Sequence, residues 1–117
     1  MSAESSLQTL LTPILGRVIY FNVAPLGAAI PRIVAQQAGG EEDQFLDGSL
    51  ASKERLRMQI ACWASTYLAA KTLSKQVAQA VSTSALQGQL LGAAVAVYEE
   101  ATSLHGFRQD FLIAADR

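Results

Sequence analysis

Apolar residues at the start of the chain recur with the period of an α-helix. Five of them fall at i, i+3, i+4, i+7 and i+8 and form one stripe: Leu7, Leu10, Leu11, Ile14 and Leu15. Ser5 or Ser6 is placed to cap the start of this helix. Pro13 lacks a backbone donor, so it predicts either a kink or a helix that ends near Thr12 and restarts with Pro13 in its first turn. Gly16 then ends the segment.

A second amphipathic helix is predicted to run to about residue 83, with Ser65 or Thr66 as its N-cap. Its small and aliphatic residues form one stripe, and its long polar residues point outward. The stripe is Ala70, Leu73, Val77, Ala80 and Val81, and the outward residues are Lys71, Lys75, Gln76 and Gln79.

The clearest β-strand is predicted at residues 55–63, where polarity alternates strictly. Leu56, Met58, Ile60 and Cys62 lie on one face, and Arg55, Arg57, Gln59, Ala61 and Trp63 on the other. Further strands are predicted at residues 18–21, 32–37, 90–99 and 107–114, with a polar loop from Gly39 and Gly40 to Ser52 and a turn at 102–106. The order α-β-β-β-α-β-β indicates an α+β fold, with an antiparallel-rich sheet of about five strands and two main helices packed on it.

Composition favours one domain, residues 1–117, that assembles with copies of itself. Half of the residues are hydrophobic. Only 16% are charged, whereas charged residues usually make up about a quarter of a soluble domain. A surface with so few charges favours coverage by other subunits. Nine basic and ten acidic side chains give a net charge of −1, which argues against tight DNA binding because nucleic-acid binders carry a basic excess.

Targeting signals are not evident in the sequence. Residues 1–6 lack the basic start of a signal peptide. The longest weakly polar run, residues 86–98, is shorter than the roughly 20 residues that a membrane-spanning helix requires. A single cysteine, Cys62, excludes an internal disulfide. We therefore expect a soluble protein, made in a cytoplasm, without a membrane partner.

Candidate catalytic and metal-binding residues do not form a recognisable constellation. His105, the only histidine, is predicted to be an exposed turn residue beside Gly106. Cys62 falls on the apolar strand face and is predicted to be a buried small hydrophobe. Glu99 and Glu100 are adjacent on a predicted strand, so their carboxylates point to opposite faces. We expect no catalytic site, no metal and no cofactor, and hence no enzyme.

Two features invite a functional interpretation. Trp63 lies on the polar face of its strand, either as a partly buried edge aromatic at the strand end or as an anchor in a subunit interface. The acidic stretch of Glu41, Glu42 and Asp43 is either a solvated loop or the lining of a pore that repels DNA phosphates. The predicted subunit-interface residues are Trp63, Arg55, Arg57, Leu46 and Asp47.

The segment from Arg57 to Ala64, followed by Tyr67, Ala70, Lys71 and Leu73, resembles the strand-to-helix core of a family of small phage tail proteins. These are the tail completion or tail terminator proteins. Residues 17–20, the Ala24-Pro25 pair with Ala28 and Pro31, and residues 46–48 fit the same pattern in the same order. The resemblance covers about residues 7–80, and Pro13 and the polar insertion at 39–45 depart from it.

The resemblance implies a structural virion protein without catalysis or cofactor. Such a protein forms a ring, typically a hexamer, at the head-proximal end of the tail, where it terminates tail-tube polymerisation and docks the head. Its partners would be its own copies, the tail tube protein and a head-completion or neck protein, with DNA only as passing cargo. It would reside in the host cytoplasm before assembly and in the virion afterwards.

Two alternative functions are also compatible with the sequence. The first is a head-completion or head–tail joining protein of the neck, which would also form a ring. The second is a cytosolic, dimeric ligand-binding α+β domain, which would require a concave apolar pocket with convergent polar groups.

The position of Trp63 generates a prediction about assembly. Trp63→Ala is expected to lower the oligomeric state more than it lowers monomer stability, because a large aromatic anchor would be removed from the interface. Sedimentation velocity and thermal unfolding of the same variant measure the two effects. Rings of the variant at micromolar concentration would contradict the assignment.

Overall fold

The computed structural model describes residues 2–41, 44–84, 86 and 88–116. Its elements are α1 (Ala3–Leu15), β1 (Tyr20–Phe21), β2 (Arg32–Glu41), β3 (Lys53–Ala64), α2 (Tyr67–Ser82), β4 (Gln89–Leu90), β5 (Val95–Glu99) and β6 (Leu104–Asp116). The predicted α+β class is confirmed. The predicted strand at 90–99 is divided into β4 and β5, so the described sheet has six strands.

Strand β3 lies near the middle of the sheet, between β2 and β6. The strand order is β1-β2-β3-β6-β4, and β5 also pairs with β6. Among the described strands, β1 and β2 pair in parallel and the other pairings are antiparallel. The β3–β6 ladder runs without interruption from Lys53 opposite Asp116 to Ala64 opposite His105.

Both helices cover the same face of this sheet. The apolar face of β3 packs against α1 and α2, as the alternation predicts, and Cys62 is buried there. The largest buried side chains come from both layers: Leu7 and Leu11 of α1, Val77 and Val81 of α2, Ile33, Met58 and Ile60 of β2 and β3, and Phe111 and Ile113 of β6. Burial of each such side chain contributes about 1.5–3 kcal/mol, so this single interface is the main source of stability.

Helix α1 starts earlier than predicted and continues through Pro13. The hydroxyl of Ser2, not Ser5 or Ser6, accepts a hydrogen bond from the Ser5 amide and caps the helix. Because Leu15 is the last helical residue, Pro13 removes only one bond near the end and the helix does not stop at Thr12. Gly16 ends it in the left-handed conformation, with its amide donating to the Thr12 carbonyl.

Helix α2 agrees closely with its prediction. Thr66 is the N-cap, and its hydroxyl accepts a hydrogen bond from the Ala69 amide. The predicted stripe faces the core, and Ser74 is buried with it. In the described part of the chain, neither helix is long and apolar enough to cross a membrane.

The two glycines predicted to open a loop lie inside β2 instead. Gly39 and Gly40 form an irregularity in the β2–β3 register, and both have positive φ angles. A Cβ on Gly40 would lie 2.2 Å from the Arg55 carbonyl oxygen, so only glycine permits this close approach. The bulge keeps β2 paired as far as Glu41, which lengthens the hairpin beyond the predicted strand end.

The β2–β3 hairpin gives the molecule an elongated shape. Every described residue from 36 to 50 is exposed. The longest dimension is 52 Å against 26 and 24 Å for the others, and the radius of gyration is 15.0 Å, whereas a compact chain of this length has about 13 Å. The hairpin is therefore an arm that projects from the core.

Burial of Cys62 generates a prediction about alkaline pH. Burial raises the pKa of the Cys62 thiol to about 12, above its ordinary value of about 8.5. The unfolded chain thus loses this proton first, so the thiol's contribution to stability is complete below pH ~8.5 and is lost as pH rises towards 12. Chemical denaturation between pH 8 and 10 should show a smaller decline in the free energy of unfolding for Cys62→Ala than for the wild type. An equal decline of the free energy of unfolding with pH in the two proteins would contradict this prediction.

Candidate functional site

The face of the sheet opposite the helices carries the predicted interface residues of β3. Side chains at alternate positions of β2, β3 and β6 point to this open face because successive residues of a strand point to opposite sides. Its members include Arg32, Val34, Gln36, Arg55, Arg57, Gln59, Ala61, Trp63, Arg108 and Asp110. No described helix covers this face.

Ion pairs neutralise much of the charge on the arm side of the open face. Arg55 Nη2 lies 2.5 Å from Glu41 Oε2, and Arg57 donates from both Nε and Nη2 to Asp110 Oδ2 at 2.9 and 2.5 Å. Exposed pairs of this kind add little stability. Both predicted interface arginines nevertheless already have carboxylate partners within their own chain.

Trp63 occupies a central position rather than the edge of the sheet. It lies near the end of β3, opposite Arg32 of β2 and Gly106 of β6. A Cβ on Gly106 would lie 2.7 Å from Trp63 Cε3 and 2.8 Å from Cζ3, so the indole rests directly on the glycine backbone. The side chain is half-buried. The predicted partial burial near the strand end is confirmed, but Trp63 does not lie at an edge of the sheet, because β2 and β6 flank it on both sides.

A groove of about 520 Å³ surrounds Trp63. Its floor is the sheet surface formed by Val34, Ala61 and Trp63, and one wall is the loop of residues 22–27. Val23 and Leu26 in that loop are strongly exposed, with relative accessibilities of 75% and 104%. The groove thus combines an apolar floor with an apolar rim.

Two arginines that the sequence analysis did not single out line this groove. Arg32 Nη1 donates to the Ala28 carbonyl at 3.3 Å, while its Nε atom is buried without a hydrogen-bond partner among the described residues. Arg108 is exposed and forms no ion pair with any described carboxylate. Glu99 also lines the groove, and its carboxylate accepts a hydrogen bond from the Thr102 hydroxyl. The groove therefore carries an excess of positive charge.

The hairpin tip presents the other predicted interface residues. The Asp47 carboxylate accepts hydrogen bonds from the Ser49 amide and hydroxyl at 2.9 and 2.6 Å, and these bonds lower the pKa of Asp47. Leu46 is fully exposed, and Phe45 is 58% exposed. Two large apolar side chains beside a carboxylate are thus exposed at the end of the arm, outside the core.

The predicted acidic loop is only partly described. Glu41 is the last residue of β2, not a loop residue, and it pairs with Arg55. Glu42 and Asp43 lie outside the described residues. The structure therefore divides the predicted interface set into two groups: Trp63, Arg55 and Arg57 lie on the sheet, and Leu46 and Asp47 lie at the tip of the arm.

His105 is not a turn residue. The turn ends at Ser103, which has a φ of 55°, so β6 begins at Leu104 and includes His105. Its half-buried ring contacts the rings of Tyr98 and Tyr67, with centroid distances of 4.9 and 6.4 Å. No group of three metal-ligating side chains occurs among the described residues.

Sequence reasoning missed Arg32 and Arg108 because neither stands out in its own segment. Arg32 follows Pro31 at the start of a strand, and Arg108 alternates with buried Phe107 and Gln109. The alternation of residues 107–113 indicates that Arg108 faces outward. Only the pairing of three distant strands brings both arginines beside Trp63.

The close packing of Trp63 on Gly106 generates a prediction about stability. Gly106→Ala should lower the free energy of unfolding by about 1–3 kcal/mol, because the added methyl overlaps the indole. In a Trp63→Ala background the same substitution should cost less than about 1 kcal/mol. Urea denaturation of the four proteins of this cycle measures the coupling. Equal costs in both backgrounds would show that the indole does not set the requirement for glycine.

Comparison with known proteins agrees with the resemblance drawn from residues 57–73. The family model described as Tail completion protein gp17 matches residues 1–115. No curated protein matches the sequence significantly. A chain in the solved structure titled "Virion of native gene transfer agent (GTA) particle" has a TM-score of 0.60 and 14% identity, and the alignment covers 99% of this chain and 96% of that chain. At this identity the likeness establishes a shared fold. Because the family model spans nearly all 117 residues, the chain belongs to the family of Tail completion protein gp17.

Proposed function

We propose that this structural tail protein acts as a ring, of six copies, at the head-proximal end of a phage or phage-like tail. There it terminates polymerisation of the tail tube and provides the surface on which the head docks. The observation that carries the proposal is membership of the tail completion family over residues 1–115. The fold shared with a chain of a gene transfer agent virion supports it.

The surface of the chain suits repeated self-association. A closed ring needs two different patches that fit each other, one on each side of the subunit. The exposed large apolar residues include two well-separated groups, one at the arm tip (Phe45, Leu46) and one in the loop of residues 22–27 (Val23, Leu26), besides others on α2 and near β4 and β5. Exposed apolar residues of this size favour coverage by a partner.

The charge distribution suits a channel through which DNA passes without binding. The net charge of −1 means that the chain as a whole has no basic excess to attract phosphates. Residues 41–43 are all acidic, and we propose that they line the lumen, where negative charge repels DNA. In this arrangement the arms lie close to the inner side of the ring.

The alternative of a dimeric ligand-binding domain has less support. A groove of about 820 Å³ lies between α2 and strands β4–β6. The buried amide of Gln109 in this groove donates to the Gly92 carbonyl at 2.7 Å, so it is already used inside the chain. This buried amide is therefore not an unsatisfied polar group that a ligand would have to complete.

Particle assembly in the absence of the protein separates a tail terminator from a neck protein. If the protein terminates the tube, deleting its gene from the phage or prophage should produce tails of uncontrolled length in electron micrographs. A neck protein would instead leave tails of normal length that fail to join filled heads.

The mass of the purified protein, measured with and without tail tube protein, tests the ring. Six subunits are expected, on the tube if not in free solution. A dimer under both conditions, together with normal particles in the deletion strain, would contradict the proposed function.

A further inference from the structure

We propose that neighbouring subunits are joined by inserting the arm tip of one copy, described residues 44–50, into the Trp63 groove of the next. This inference rests on the proposed ring and specifies its interface. It names the two patches, one acidic and apolar, the other basic and apolar, that a head-to-tail contact requires.

The two patches lie at opposite ends of the same hairpin. Strand β2 begins at the groove with Arg32 and ends near the arm tip with Glu41. Strand β3 then runs back from Lys53 to Trp63 in the groove. Ten residues of strand span about 33 Å, and the molecule is 52 Å long. An arm tip therefore cannot reach the groove of its own chain, so any contact between them joins two copies in one direction.

Apolar surface is available on both sides of the proposed contact. At the tip, Leu46 is fully exposed and Phe45 more than half exposed. The groove offers the Trp63 indole, Ala61 and the rim residue Leu26. Insertion would remove these side chains from water together, which provides the driving force.

Charge complementarity identifies the tip as the occupant. The groove holds Arg108, which has no described ion-pair partner, and Arg32, whose Nε atom is buried without one. The tip, residues 44–50, carries one acidic residue, Asp47, and no basic one. The Asp47 carboxylate has four acceptor sites and uses two hydrogen bonds within its own turn, so it can also accept from a guanidinium.

The ion pairs within the chain indicate that the interface uses arginines other than the predicted Arg55 and Arg57. Arg55 and Arg57 are engaged by Glu41 and Asp110 of their own chain. A neighbouring subunit would have to displace these partners to use them. Arg32 and Arg108 offer donors without that cost.

Charge reversal in two separate chains tests the contact. Asp47→Arg and Arg108→Glu should each lower ring formation at least tenfold when the variant is alone, because like charges then face each other. An equimolar mixture should restore rings. In an alternating ring, Arg at position 47 meets Glu at 108, and the other interface keeps the natural Asp47–Arg108 pair. Lys71→Glu, an exposed change on α2, is the matched control and should assemble normally.

Chemical crosslinking tests the contact even where association is weak. Leu46→Cys and Val23→Cys in separate chains, mixed and treated with a short bis-maleimide on tail tubes, should give a crosslinked heterodimer. The pair Leu46→Cys and Leu68→Cys should not, because Leu68 lies exposed on α2. Native Cys62 is buried and does not compete.

The outcomes separate the interface from the ring. If both charge variants form rings as well as the wild type does, and positions 46 and 23 give no crosslink, the arm-in-groove contact is overturned and the proposed ring is left intact. Absence of wild-type rings both in solution and on tail tubes would overturn the proposed function itself. Restoration in the mixture together with the crosslink is the expected result.

Discussion

The packing of strand β3 against both helices is the interaction on which the rest of the structure depends. Because β3 pairs with β2 on one side and with β6 along its whole length on the other, its backbone hydrogen bonds are satisfied within the sheet. Leu56, Met58, Ile60 and Cys62 then all point to one side, where α1 and α2 cover them. A shift of one residue in the register would expose this whole set to water, so the register is strongly determined.

The same constraint determines the surface that is left for function. With the apolar face of β3 buried, Arg55, Arg57 and Trp63 must lie on the open face. Antiparallel sheets commonly leave one face to solvent, and here that face also includes a groove with an apolar floor. Family membership identifies a tail structural protein. The helix-covered side maintains the fold, and the open side and the arm are available for assembly.

Local patterns predicted those elements whose residues interact mainly with their own segment. The strand at 55–63, the helix capped by Thr66 and the burial of Cys62 all follow from alternation, helical spacing and capping chemistry. The predictions were wrong where one residue type is compatible with two different local structures. Glycines at 39 and 40 indicate a loop in isolation, yet they form a bulge because β3 approaches closely there. Pro13 predicts a break, yet its position in the last turn of α1 makes the lost hydrogen bond unimportant.

The sequence by itself determined the α+β class, the strand-to-helix core from Arg57 to Leu73 and the tail completion family, because these depend on order and spacing along the chain. Only the tertiary structure decided which residues surround Trp63. Arg32, Gly106 and Arg108 are separated from it by more than thirty positions, and the sheet register places them side by side. It also decided that the arm tip and the groove lie at opposite ends of one hairpin. Periodicity reports which face of a strand is buried, but the residues that meet across a sheet are selected by the pairing of strands.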